Sequence, residues 1–304
     1  MSLGLFLFAA LAPLLWAISN HTDKYLVAKY FKGGGVGGLM IFSSFFSIVL
    51  LPFIIFFSPT VVDVNLSGAL ILILAGVANA FAIYCYLLAL NEDESSVVVP
   101  FMQLIPIFTF ILGYFILGET LTKNQLLGGA IIILGATILS LEFIAGEPLK
   151  IKTKIILLMS GCSLLFSLYT VLFKLVSVAD GFWTGAFWEA VGLIVAGCIF
   201  FSIKSYRQEF FQVFKENSKS ILLLNLFNES LTIAGNWVMT FTTLLAPVAL
   251  ISLVSGYQPL FVFIIGIFIT VFVPQWGEEN ITKSALLQKS AAIAIVIIGT
   301  YLLS

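Results

Sequence analysis

LLLNLFNESLTIAGNWVMTFTT, residues Leu222 to Thr243, is a hydrophobic span with a carboxylate near its middle. At about 1.5 Å rise per residue a stretch of this length crosses a bilayer as one helix. At about 100° per residue, Asn225, Glu229, Thr232 and Asn236 fall within roughly a 60° arc, and Asn228 lies just beside them. The rest of the circumference is mostly Leu, Ile, Phe, Val and Met. A charge at the bilayer centre costs at least about 3 kcal/mol on insertion scales, so such a residue faces a cavity or a partner. In one reading Glu229 is hydrogen-bonded between helices as glue. In the other, the stripe lines a substrate path. Four polar side chains on one stripe favour the path.

Outward from that span the composition sets the class. Hydrophobic residues make up 61% of the 304 residues and charged residues 10%, the balance of a polytopic membrane protein in contact with the lipid bilayer. The formal net charge of -1 argues against nucleic acid as a partner. Cys85, Cys162 and Cys198 all lie in apolar stretches, so free thiols are expected and no disulfide framework. The opening MSLGLFLFAALAPLLWAIS lacks a basic leader and reads as the first membrane helix. There is no Walker loop, no HExxH and no cysteine–histidine cluster, so no metal, ATPase site or other cofactor is expected.

Apolar spans run over roughly 3–26, 37–57, 68–90, 97–117, 124–143, 153–178, 183–203, 219–243, 247–273 and 284–303. None has the alternation of an outer-membrane barrel strand, so the chain is all-α, with ten transmembrane helices. The halves match in order. Leu14-Leu15-Trp16 with Lys24 is answered by Leu164-Leu165-Phe166 with Lys174. Glu119-Thr120-Leu121-Thr122-Lys123 is answered by Glu279-Asn280-Ile281-Thr282-Lys283, and Pro106, Phe108, Phe110 and Gly113 by Pro259, Phe261, Phe263 and Gly266. Residues 1–147 and 148–304 are thus two copies of five spans within one membrane domain. Five is odd, so the second copy enters the membrane upside down. Inverted repeats of this kind belong to secondary transporters, whose sites lie near the midplane between the halves.

Ala89-Leu90 after an aromatic third span, Pro106 in the fourth, Leu117-Gly118-Glu119-Thr120-Leu121-Thr122, and Gly128-Gly129 with Gly135 carry a resemblance. With the Trp16…Lys24 opening, the chain resembles the EamA-type drug/metabolite transporter superfamily along its whole length. The resemblance implies a ten-helix bundle with a central cavity that moves small metabolites by alternating access. It leaves the substrate open, since members carry amino acids, choline, nucleotide sugars, sugar phosphates and drugs. Carriers of phosphorylated sugars use basic residues in the cavity. The ninth span here has none and Arg207 falls in a polar loop, so a phosphorylated substrate is not expected.

The candidate substrate-binding residues are Trp16, Asn20, Lys24, Asn79, Tyr84, Gln103, Lys174, Glu189, Asn225, Glu229, Asn236, Trp237, Tyr257 and Gln258. Lys24 and Lys174 occupy matched places, where they either snorkel to the interface or close opposite gates. Glu189 is a second acidic site residue or an interfacial charge, on a face made small by Gly185, Gly192 and Ala196. Trp16, Tyr84, Trp188, Trp237 and Tyr257 can offer aromatic faces, which with a carboxylate suit an organic cation. Gln103 beside Pro106 and Gln258 beside Pro259 mark hinges, because proline removes a backbone hydrogen bond. His21, beside Asp23 and Lys24, reads as a solvated residue at a helix end. The functional expectation is a secondary transporter, an exporter of small polar or cationic metabolites such as amino acids, amines or drugs. The coupling ion would be the proton, through Glu229, and no catalytic residue is assigned. The competing class is an intramembrane enzyme or flippase acting on a lipid-linked substrate, against which stands the lack of a second positioned acid or base beyond Glu189. The expected setting is a bacterial or archaeal plasma membrane, as monomer or homodimer.

Orientation draws two opposite expectations. The resemblance places both termini in the cytoplasm. The basic residues Lys24, Lys29, Lys32, Lys150, Lys152, Lys154, Lys204, Arg207, Lys215, Lys219, Lys283 and Lys289 all fall on one side, against Lys123 and Lys174 on the other. Positive charge in short loops marks the inner face, which puts both termini outside. A cysteine at Ser218 or Ser304, in a chain free of its own cysteines, decides by labelling intact cells with an impermeant thiol reagent. Labelling at Ser304 alone is the result expected from the charge count.

Overall fold

A computed structural model of the chain describes residues 2–30, 36–92, 98–140, 152–216, 220–272 and 283–303. For residues 24–30, 99, 140, 213–216, 220–222 and 283–285 only the backbone is described. Among the described residues every regular element is helical: Leu3–Ala9 (α1), Leu11–Tyr30 (α2), Val36–Phe57 (α3), Leu66–Glu92 (α4), Ile105–Leu112 (α5), Lys123–Ser140 (α6), Thr153–Asp180 (α7), Phe182–Ser202 (α8), Lys204–Glu216 (α9), Ser220–Thr243 (α10), Val248–Ser252 (α11), Gln258–Phe272 (α12) and Lys283–Tyr301 (α13). Seven helical stretches are long and apolar enough to cross a membrane: Leu3–Asp23, Val36–Phe57, Leu66–Glu92, Pro100–Leu117, Thr153–Asp180, Phe182–Ser202 and Val248–Phe272. Lys123–Leu139 and Leu286–Tyr301 are apolar but shorter. The 24 residues of α10 have the length, and its Asn, Glu and Thr side chains lower its hydropathy.

One segment departs from the sequence reading. Lys204–Lys219, taken as a polar loop, holds the helix α9 as far as Glu216. Charged residues hide its period, yet Tyr206 and Phe210 are four residues apart and share a face. That face packs on the start of α3, where Gly37 and Gly38 leave room. A Cβ on Gly37 would lie 2.1 Å from the Tyr206 ring, and the Gly38 N–H donates to Glu209 Oε2 at 3.3 Å. Arg207 therefore sits on a helix, with its guanidinium 5.5 Å from the Phe201 ring centroid.

The two proline-bearing spans begin alike. Val99–Leu104 and Leu253–Tyr257 are 3₁₀ turns, and each gives way to α-helix one residue before its proline, at Ile105-Pro106 and Gln258-Pro259. Proline lacks the N–H that an α ladder needs, so it fits most easily in the first turn of an α segment, and here the tighter winding precedes it. Downstream of α5, the turn Gly113–Leu117 ends at Gly118 with φ +67°, a left-handed cap that glycine adopts without Cβ strain. The chain reverses there and turns Glu119 back toward the bundle. Thr122 and Gln125 then cap α6 reciprocally, N–H to side-chain oxygen at 2.9 and 3.3 Å.

Helices pack in a definite pattern. α4 lies along α7, α10 along α2, α3 along α8, and α6 along α13, while α2 also meets α12 and α7 meets α5. α4 and α8 approach each other closely, backbone to backbone. A Cβ on Gly76 would stand 2.1 Å from the Glu189 carbonyl oxygen, and one on Gly192 would stand 2.2 Å from that of Ile73. Lipid offers no hydrophobic drive between helices, so small residues that admit close van der Waals contact hold them. Gly76→Ala and Gly192→Ala each overpack this contact and should cost about 1–3 kcal/mol. Thermal unfolding in detergent should fall accordingly, whereas Gly4→Ala, with nothing within 4 Å, should leave it unchanged.

Candidate functional site

The polar stripe of α10 meets α2 across a ladder of side-chain hydrogen bonds. Trp16 Nε1 donates to Asn236 Oδ1 at 3.0 Å, and Ser19 donates to Asn228 Oδ1 at 2.8 Å and lies 2.9 Å from the Thr232 hydroxyl. Asn228 Nδ2 donates to Asp23 Oδ1 at 2.6 Å. Gly235 leaves room for the Trp16 indole, since a Cβ there would lie 2.6 Å from Nε1. Asn225 is buried on the same helix, and Asn20 is half-buried next to Ser19. Much of the stripe is thus consumed in holding two helices together.

Glu229 is different. It turns to α3, where the Ser43 hydroxyl donates to Oε1. Ten residues further along α3, Phe53 stacks on Trp237 with ring centroids 6.3 Å apart, eight residues beyond Glu229 on α10. Trp183 and Phe182 of α8 close on Trp237 at 5.6 and 6.1 Å, and Phe57 stacks on Trp183 at 6.2 Å. Between the serine–carboxyl contact and this aromatic group, α3 and α10 meet far less extensively than α4 and α8 do. A carboxyl and indole faces therefore border the same helix interface, an arrangement that can take an organic cation by charge and by cation–π attraction.

Asn79 and Glu189 meet at the α4–α8 approach, with Asn79 Nδ2 donating to Oε1 at 3.2 Å. Both are buried. Trp188, the neighbouring indole, donates to the Val61 carbonyl at 2.9 Å.

Lys174 is buried at the end of the bundle where α7 finishes. Its Nζ lies 2.5 Å from Glu119 Oε1 and donates to the Ala246 carbonyl at 2.7 Å. The other carboxylate oxygen of Glu119 accepts the Val248 N–H at 2.7 Å. One ion pair thus ties the turn after α5 to α7 and to the α10–α11 connection. The side chain of its matched partner Lys24, and all of Glu279, lie outside the described residues. The other expected site residues scatter. The Tyr84 hydroxyl is 2.5 Å from that of Tyr206. Tyr257 is bonded to Thr300 and packs edge-on against Phe6 at 5.3 Å. Gln103 is buried in its 3₁₀ turn, and Gln258 is half-buried at the head of α12. His21 is bonded rather than merely solvated, its Nε2 donating to the Val262 carbonyl at 3.0 Å.

Ser43 and Ser19 escaped the sequence reading, and Glu119 entered it as a repeat and family motif without a partner. A lone serine in an apolar span carries no signal, because only the partner's position reveals it. Glu119 stood in the repeat that also matched Lys174, and that conjunction was the available hint.

Residues 3–141 match the family model of the EamA-like transporter family, part of the drug/metabolite transporter superfamily. A solved structure described only as "Crystal structure of protein" superposes with a TM-score of 0.69 at 15% sequence identity, covering 99% of this chain and 96% of that one. At that identity the likeness extends to the fold over the whole chain. No curated protein matches.

The ion pair, buried at Lys174 and half-buried at Glu119, yields a stability prediction. Lys174→Met alone leaves Glu119 without its cation; breaking a fully buried pair costs about 3–5 kcal/mol, and this one should cost less. The double variant Lys174→Met, Glu119→Gln should recover most of the loss. A double-mutant cycle in reversible detergent unfolding measures it, and additive losses would show the pair to be uncoupled.

Proposed function

From the match of residues 3–141 to the EamA-like transporter family, we propose that the chain is a secondary active transporter that exports small polar or cationic metabolites by alternating access. Amino acids, amines and organic-cation drugs are the substrate classes that fit. The supporting observation is the α3–α10 interface. There a carboxyl held by one serine, Glu229 with Ser43, shares a helix boundary with the indoles of Trp237 and Trp183. Protons couple through Glu229, and the substrate cation competes with the proton for the carboxylate.

The proposal includes ten spans in two inverted repeats, 1–147 and 148–304. The exchange pairs α2 with α7, α3 with α8, α4 with α10, α5 with α12, and α6 with α13. Packing supports this pairing: α10 on α2 answers α4 on α7, and α12 on α2 answers α5 on α7, while α3–α8 and α6–α13 map onto themselves. One pair breaks the exchange, since α4 packs closely on α8 and its counterpart α10 does not pack so on α3. Alternating access needs such an inequality, with one interface closed while its counterpart is open, and the roles reversed in the other state. The Lys174–Glu119 pair with Ala246 and Val248 then serves as the gate on the closed side, in place of a substrate contact. A bacterial or archaeal plasma membrane is the proposed setting.

Glu229→Gln retains shape and hydrogen bonding to Ser43 but cannot titrate. It should fold normally, and a proton gradient should no longer drive substrate uphill in liposomes. Flux across a panel of amines and amino acids, with each compound recovered chemically unchanged, distinguishes transport from catalysis on a lipid-linked substrate. Wild-type gradient-driven flux in the variant at every pH would reduce Glu229 to a helix contact.

A further inference from the structure

The α4–α8 interface buries a carboxyl beside which no described residue places a cation. Glu189 is 4% exposed, Asn79 1% and Tyr169 5%. With Asn79 Nδ2 given to Glu189 Oε1, three buried atoms make no close hydrogen bond among the described residues: Glu189 Oε2, Asn79 Oδ1 and the Tyr169 hydroxyl, though the phenol lies near enough to the carboxyl to act as a donor toward it. The groups that face the carboxyl are the neutral Asn79 from α4 and the Tyr169 phenol from α7, which is also flanked by Thr240 of α10. The phenol is the other titratable group there.

Two of the unpaired atoms belong to one carboxyl–carboxamide pair. If the carboxyl is ionised, Oε2 and Oδ1 are both acceptors and cannot satisfy each other; the Tyr169 phenol can supply a donor to Oε2, but Asn79 Oδ1 is left with none. Leaving it so in a low-dielectric interior is costly. A proton on Oε2 supplies the missing donor, because the acid can then donate to the carboxamide oxygen while the carboxamide nitrogen donates to Oε1. We propose that Glu189 binds a proton in this conformation, and that this proton is the condition for α4 to pack on α8. Taking it up from water neutralises the carboxylate. Losing it to water restores an unpaired negative charge beside the Gly76–Gly192 contact and forces the helices apart to admit solvent.

The repeat gives the site a counterpart. Carried on through the second and third spans, the 150-residue offset between Leu14 and Leu164 takes Asn79 to Glu229 and Ser43 to Leu193, one helical turn from Glu189; by Pro106 and Pro259 it has grown to 153. Each of the two exchanged interfaces thus holds one carboxyl bonded across it, Glu189 to Asn79 and Glu229 to Ser43. That Glu189's proton acts in coupling rests on the transporter reading. That it is bound does not.

Infrared difference spectroscopy of the full chain in lipid nanodiscs, near neutral pH in sodium-free buffer, tests the bound proton. Wild type minus Glu189→Gln should contain the carbonyl band of one protonated carboxyl per chain. The glutamine supplies its own donor to Asn79 Oδ1, so this variant keeps both hydrogen bonds and should fold. Asn79→Leu should shift the band to higher frequency without removing it, and Glu229→Gln should leave it in place. Ionised-carboxylate bands in its stead would overturn the proposal. So would carboxylate bands that move when sodium is added, which would make this a sodium site. A chain with the band but no flux refutes the transporter reading alone, and one with flux but no band refutes the proton site alone.

Discussion

A polar group within hydrocarbon has no water to turn to, so its partner must come from another part of the same protein. That constraint accounts for where most of the polar side chains of this chain are found. Trp16, Ser19 and Asp23 on α2 meet Asn236, Asn228 and Thr232 on α10. Lys174 meets Glu119 and a carbonyl, and Thr109 donates to Ser167 at 3.0 Å. Each such bond adds modestly to the net stability of a membrane helix pair. Leaving one unmade is the larger effect, and it fixes the rotation of each helix about its own axis.

Small residues decide how near the helices come. Gly76 and Gly192 let two backbones touch, and the closeness is what brings the Asn79 carboxamide onto the Glu189 carboxyl. Where α3 faces α10, Phe53 and Trp237 stand between the helices instead. Bulk at one boundary and its absence at the other make two interfaces of unequal tightness. In the proposed exchange of repeats these are counterparts, so the conformation described is one of a pair.

Backbone irregularity falls where spans must bend or end. The 3₁₀ turns before Pro106 and Pro259 interrupt the α-helix of two spans at matched places. The left-handed Gly118 throws Glu119 back onto Lys174. These features join an irregular backbone to an ion pair that ties the turn after α5 to α7 and to the α10–α11 connection, and breaking a buried pair is far costlier than opening an exposed one.

The sequence by itself determined the class, the helical character and the positions of the apolar spans, because those follow from hydrophobic length and from local turn chemistry. It also singled out Glu229, Glu189, Lys174 and the paired prolines, since a charge or a proline in an apolar run is conspicuous in one dimension. It misread Lys204–Glu216, where the period is short and charges interrupt it. It placed Asn236 and Glu229 on one stripe, which is true of α10, but the two face different neighbours. Only the tertiary structure decided that Asn236 is spent on Trp16 while Glu229 turns to Ser43, and that Lys174 is neutralised by Glu119. Partner choice depends on which helices adjoin and how closely, and that is set by packing between parts of the chain far apart in sequence, which no local pattern encodes.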